Sequence, residues 1–115
     1  MRILVADDSA DLVLLCRAVL EDAGYEVVTA TTGIAAIAAA EANEIDAAVL
    51  DVLMPGMSGD AIAARLRDKT PSLPILLVTG SYGDQFVVDS PVPVLHKPFS
   101  PDDLVRAVNE LVGKG

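Results

Sequence analysis

Ala47-Ala48-Val49-Leu50 run into Asp51, and Met54-Pro55-Gly56-Met57-Ser58-Gly59 follow close behind. A short, uninterrupted apolar run that ends on a carboxylate and a Pro/Gly turn reads as a strand buried on both faces of a parallel sheet. The pattern recurs along the chain. Ile3-Leu4-Val5-Ala6 run into Asp7-Asp8, Pro74 to Val78 into Thr79-Gly80, and Val94-Leu95-His96 into Lys97-Pro98-Phe99. Open α/β sheets bind ligands outside the carboxyl ends of their strands. Three carboxylates, a hydroxyl and an ammonium fall at those ends.

Helical segments alternate with the strands. A helix is expected from about residue 10 to 23, stopped by Gly24, which suits the left-handed position after a helix. Residues 26–30 form the second strand and 34–42 an Ala-rich helix. A third helix is expected over about 60–67, with Pro71 and Pro74 bracketing the turn into the next strand. The last helix has Ser100 as N-cap, Pro101 at its first position and Asp103 completing a capping box. Five strands alternating with helices make a doubly wound α/β sheet. Between Thr79 and Lys97 the alternation breaks. Residues 81–93 carry Gly83, Pro91 and Pro93, and Phe86-Val87-Val88 is too short and β-branched for a long helix. One turn of helix in a mobile segment is expected there.

The 115 residues make one domain, able to bury roughly 65% of its unfolded surface. Apolar content of 52% with 3% aromatic residues implies an aliphatic core. No apolar run approaches the roughly 20 residues of a membrane helix, and Met1-Arg2-Ile3 opens into a strand rather than a signal peptide. The single Cys16 excludes an internal disulfide and fits a cytoplasmic location. A net charge of −9 repels phosphate backbones and argues against nucleic-acid binding.

Asp51 reads as a nucleophile that holds a phosphoryl group as an acyl phosphate. Its plain alternative is a carboxylate capping the following turn. Asp7 and Asp8 read as metal ligands: two unit charges 4 Å apart repel by about 4 kcal/mol at an effective dielectric near 20, so adding Asp51 demands a cation. All-oxygen ligands at a phosphoryl site favour Mg²⁺. Asp-Asp-Ser before a helix could equally serve as an N-cap, and both roles can hold at once. Lys97 can pair with Asp51 when the site is empty and with a phosphoryl oxygen when it is loaded. Thr79 offers a hydroxyl, and Gly80 leaves backbone room.

Asp7-Asp8, Asp51 with Met54-Pro55 and Gly59, Thr79, and Lys97-Pro98-Phe99 together resemble the receiver domain of bacterial two-component response regulators, over essentially the whole chain. The resemblance implies a flavodoxin-like five-stranded parallel sheet in the order 2-1-3-4-5. It implies phosphorylation of Asp51 by a histidine kinase or histidine phosphotransfer protein. It implies Mg²⁺ held by Asp8, Asp51 and the backbone carbonyl of Leu53, with Asp7 acting through water, and a cis bond between Lys97 and Pro98. Two features depart from the usual pattern. Val94 stands where most receivers carry an aromatic residue, and the segment from Thr79 to Lys97 is short. A minority of receivers share both traits, and Thr79-Gly80-Ser81-Tyr82-Gly83 is similar to their turn. Tyr82 is either a replacement switch ring or a surface residue.

Other residues read more plainly. His96 should face away from Lys97. Cys16 should lie on the core side of the first helix, with Leu12, Val13, Val19 and Leu20. Met54 and Met57 read as loop packing. Leu14, Leu15 and Ala18 fall outside the core stripe as neighbouring apolar groups. In the family this helix and the Pro98-Phe99 loop dock the phosphodonor.

The expected function is therefore a stand-alone receiver, with no output domain after Gly115, or one excised from a hybrid histidine kinase. It would be no enzyme beyond its own phosphorylation and dephosphorylation. A small haloacid-dehalogenase-like phosphatase is the rival. That chemistry wants a second Asp two residues after the nucleophile, where this chain has Leu53, and a cap insertion for which there is no length.

Overall fold

Alternate residues of each central strand point to opposite faces, and both faces are apolar. In the computed structural model, which describes residues 1–54, 56–80 and 92–113, this places β1 (Arg2–Ala6), β3 (Ala47–Asp51) and β4 (Ile75–Thr79) at the centre of a sheet. β2 (Glu26–Ala30) and β5 (Val94–His96) flank them. The order is β2-β1-β3-β4-β5 and every pairing is parallel. Leu4, Ala6, Ala48, Leu50, Ile75 and Leu77 face one side, where they pack with α2 (Gly33–Ala42) and α3 (Gly59–Lys69). Ile3, Val5, Ala47, Val49, Leu76 and Val78 face the other, against α1 (Ala10–Asp22) and α4 (Pro101–Leu111). The two-sided burial explains why these strands read as unbroken apolar runs rather than alternating ones.

Side chains of small polar residues start each helix. Ser9, Thr32, Ser58 and Ser100 each accept a hydrogen bond from a first-turn backbone N–H, and Asp103 returns the bond to Ser100 in the expected capping box. Gly24 has φ of +98°, the left-handed conformation expected after α1. α1 ends at Asp22, α2 begins at Gly33, and α3 runs from Gly59 to Lys69, each within two residues of expectation.

The C-terminal end of α2 is closed by a device from elsewhere in the chain. α2 has neither a following glycine nor a basic residue in its last turn. Instead the Lys69 ammonium, at the end of α3, donates to the carbonyls of Ala40, Glu41 and Asn43 at 2.8, 3.2 and 3.4 Å. This satisfies carbonyls that the helix leaves unpaired. On the opposite face the Tyr25 hydroxyl donates to Asn109 Oδ1, tying α4 to the start of β2. The turn of helix expected over 81–93, Tyr82 and the segment's expected mobility lie outside the described residues, apart from Val92 and Pro93.

Candidate functional site

The strand ends bring the predicted residues together. Asp7 follows β1 and its N–H donates to the Ala30 carbonyl of β2 at 3.2 Å. Asp51 ends β3, Thr79 ends β4, and the Lys97 N–H donates to the Thr79 carbonyl at 2.7 Å. Asp7, Asp51 and Thr79 are the buried polar residues among those described, each 4% exposed. One carboxylate oxygen from each of Asp7, Asp8 and Asp51 lies within 4.8 Å of the others. Asp8, unlike the other two, is exposed.

Lys97 bridges the buried pair, with a different preference from the one expected. Its ammonium donates to Asp7 Oδ2 at 2.8 Å and lies 3.7 Å from Asp51 Oδ2. Asp7 Oδ1 accepts from the Ser9 N–H at 2.9 Å, so both Asp7 oxygens are engaged. Among the described residues Asp51 Oδ1 has only a long contact, 3.4 Å from the Leu53 N–H. Asp51 is thus the less tethered of the two buried carboxylates. Burial pushes its pKa up to about 6, Asp7 and Asp8 add to the rise, and Lys97 and the Leu53 N–H oppose it. Burial lowers the Lys97 pKa, but the hydrogen bond to Asp7 and the three carboxylates outweigh it, so the net shift is upward. One ammonium against three carboxylates leaves an excess of negative charge. A small hard cation with oxygen ligands fits that excess, and the donor set offers no nitrogen or sulfur to favour a softer metal.

Neighbouring residues take the expected places. The Lys97–Pro98 bond is cis. His96 is exposed, while Val94 and Leu95 pack on opposite faces of the sheet. Cys16 is buried, and burial followed by the charge of Asp7 pushes its thiol up to about 11, leaving little thiolate at neutral pH. Met54 is buried and Met57 packs against the α2–α3 side of the core. Leu14 and Leu15 are 62% and 53% exposed, Ala18 and Pro98 are exposed, and Phe99 is half-buried against the α1–α4 core.

Gly59 closes the motif that follows Asp51, and packing explains why a glycine stands there. A Cβ at Gly59 would lie 2.6 Å from the Asp51 carbonyl oxygen and 3.1 Å from Val52 Cα, so α3 begins in direct contact with the backbone that carries Asp51. A glycine directly after a helix-capping serine, where no left-handed turn is needed, was the available signal.

The fold and this arrangement coincide with one family. Response regulator receiver domains match residues 3–109. The chain belongs to that family. The response regulator SaeR of Staphylococcus aureus is 32% identical over 114 residues, which are 96% of this chain and 50% of that protein. The chain therefore spans about half the length of that relative. Among solved structures, the chemotaxis protein CheY4 of Vibrio cholerae aligns with 30% identity and a TM-score of 0.83, covering 96% of this chain and 97% of that one. A receiver domain protein of Clostridium thermocellum aligns with 28% identity and a TM-score of 0.86, over 98% and 94% of the two chains. The receiver domain of the hybrid histidine kinase CckA aligns with 30% identity and a TM-score of 0.83, over 97% and 99%. Receivers are regulatory domains of two-component signal transduction rather than enzymes with an external substrate. No helix among the described residues is long and apolar enough to cross a membrane.

Proposed function

We propose that this receiver accepts a phosphoryl group on Asp51, from the phosphohistidine of a histidine kinase or phosphotransfer protein, in a Mg²⁺-dependent reaction. The observation that carries the reading is the placement of Asp51: buried, 3.7 Å from Lys97, and within one small cradle with Asp7 and Asp8. In the transfer the P–N bond to the donor imidazole breaks as the bond from an Asp51 carboxylate oxygen to phosphorus forms, and the imidazole leaves with a proton. A loosely tethered, ionised Asp51 is the right nucleophile, since it need not break a strong hydrogen bond before attacking. Asp8, Asp51 and the Leu53 carbonyl would hold the cation, with Asp7 contributing through water. Mg²⁺ would neutralise charge between the carboxylates and the phosphoryl oxygens.

The remaining residues act on the incoming charge. Lys97 would transfer its ammonium from the Asp7 pair to a phosphoryl oxygen, and the Thr79 hydroxyl would donate to another. The exposed Leu14, Leu15 and Ala18 of α1 and the Pro98-Phe99 loop would meet the phosphodonor. The domain would then relay phosphate or switch protein contacts in the cytoplasm. The likeness to the CckA receiver supports a receiver within a hybrid kinase as the second setting for the same chemistry. Intact-mass measurement after incubation with a small acyl or amidate phosphodonor tests the reading. One added phosphoryl group should appear with Mg²⁺, and none in Asp51→Asn. An unchanged yield in that variant would overturn the assignment.

A further inference from the structure

The turn that leaves Asp51 is held from two sides. On the inner side is Gly59, pressed against the Asp51 carbonyl. On the outer side is Gly33, the first residue of α2. A Cβ at Gly33 would sit 2.9 Å from Met57 Cβ, 3.1 Å from its Sδ and 3.3 Å from its Cγ. The positive-φ residues among those described are Gly24, Gly56 and Gly113, so Gly33 is not a glycine for conformational reasons. It is a glycine because Met57 occupies the space.

The kind of contact decides what crowding would do. A flexible side-chain tip could swing aside, but Met57 Cβ is fixed to the main chain and moves only with it. The Met57 N–H donates to the Met54 carbonyl at 3.3 Å, and the Met54 side chain is itself buried. Leu53 precedes it, and its N–H reaches Asp51 Oδ1 at 3.4 Å. The opposite wall is rigid. Thr32 caps α2 by accepting from the Ala35 N–H at 3.0 Å, and Ala36 anchors the helix in the core with no exposed surface. A force at Gly33 therefore passes into the backbone that carries Leu53 and Asp51.

On the receiver reading above, we infer that Gly33 and Met57 are positioning residues for the cation site: their contact sets where the Leu53 carbonyl and the Asp51 carboxylate lie, without touching the ion. Groups that orient metal ligands from behind typically change affinity by about 10- to 100-fold when altered. An apposition acting through several backbone bonds belongs at the lower end of that range.

Calorimetric titration with Mg²⁺ tests this on the whole chain. Gly33→Ala should weaken Mg²⁺ binding about tenfold. Met57→Gly removes the wedge and should also weaken it, by about threefold or more. The double variant should bind about as well as Met57→Gly alone, because the clash is gone; such non-additivity is the signature of direct coupling. Gly24→Ala is the stability control. It strains a left-handed residue at the far end of α1 and should lower Tm while leaving Mg²⁺ affinity unchanged. Wild-type affinity in Gly33→Ala, or independent effects that multiply in the double variant, would overturn the inference. If Gly33→Ala does not fold, Met57→Gly decides: wild-type affinity there overturns it equally. Absence of Mg²⁺ binding by the wild-type chain would instead overturn the cation-site reading itself, and this inference with it.

Discussion

Lys97 holds Asp7 more closely than Asp51: the ammonium is 2.8 Å from the first carboxylate and 3.7 Å from the second. Asp7 is also fixed by the Ser9 N–H, so the ammonium is anchored on the carboxylate that is not the proposed phosphoacceptor. Asp51 is neutralised only in part, and burial, helped by the charges of Asp7 and Asp8, holds its pKa up at about 6. The arrangement poises the site: a charge arriving on Asp51 would draw the ammonium toward it.

Lys97→Ala would leave two buried carboxylates with no compensating cation. Breaking a buried pair costs about 3–5 kcal/mol, and the partial exposure of the lysine side chain brings the expected loss at pH 7 nearer to 2 kcal/mol. Mg²⁺ should recover more stability in the variant than in the wild type, because it restores the missing charge. Urea unfolding with and without Mg²⁺ checks this. An equal loss in both buffers would show that the lysine serves only local packing.

Asp51 sets a pH dependence of stability. Its folded pKa of about 6 lies above the value near 3.9 of an unfolded chain. Stability from this group is therefore fully present below pH 4 and is lost as pH rises through 6. At pH 7.5 the wild type carries the full cost of an ionised carboxylate that is buried beside Asp7, so Asp51→Asn should be more stable by of the order of 2 kcal/mol. The advantage should shrink through pH 6 and vanish near pH 4. Denaturant midpoints of the two proteins across that range provide the measurement, and a gap independent of pH would refute the burial argument.

Much of this was legible in the chain because parallel strands buried on both faces leave unbroken apolar runs, and the residues closing those runs must lie at one edge. Asp7, Asp51, Thr79 and Lys97 were found that way. Ser100-Pro101 and Asp103 announce α4 through local capping chemistry alone. What stayed hidden depends on contacts between distant segments. Nothing near Asn43 shows that Lys69 closes α2 from 26 residues away. Nothing near Asp7 shows that it, rather than Asp51, takes the closer bond from Lys97. Gly33 and Gly59 read as ordinary glycines until the atoms facing them are known.

The aspartate pair should separate by role. Asp8 is exposed and accepts no hydrogen bond among the described residues, so both its oxygens can turn to a cation. Asp7 already spends its oxygens on Ser9 and Lys97. Asp8→Asn should weaken Mg²⁺ binding by about a hundredfold or more and Asp7→Asn by about tenfold. Calorimetry on the three proteins checks the order. Equal affinities, or the reverse ranking, would contradict water-mediated action of Asp7.

Loss of phosphate from Asp51 should be slow, and Leu53 is the reason. Leu53 stands two residues after Asp51 and its backbone N–H faces Asp51 Oδ1 at 3.4 Å, and on the proposed function its side chain would border the acyl phosphate. That side chain is 48% exposed and wholly apolar. Hydrolysis needs a water held in line with the phosphorus, and positioning of a nucleophile supplies a large part of such rate enhancements. Leu53 has no group to hold that water, and its bulk would cover part of the approach. Asn in its place keeps a similar reach, adds a donor and an acceptor, and opens the approach. Leu53→Asn should therefore shorten the lifetime of the phosphorylated protein by about tenfold, within the range expected of a single orienting group. The decay of the phosphorylated mass after removal of the phosphodonor gives the lifetime directly. Phosphorylation itself should proceed as in the wild type, since the substitution keeps Asp51, Asp8, Lys97 and the backbone carbonyl at position 53. An unchanged lifetime in Leu53→Asn would mean that attack of water is controlled elsewhere, and the shielding role of Leu53 would fall.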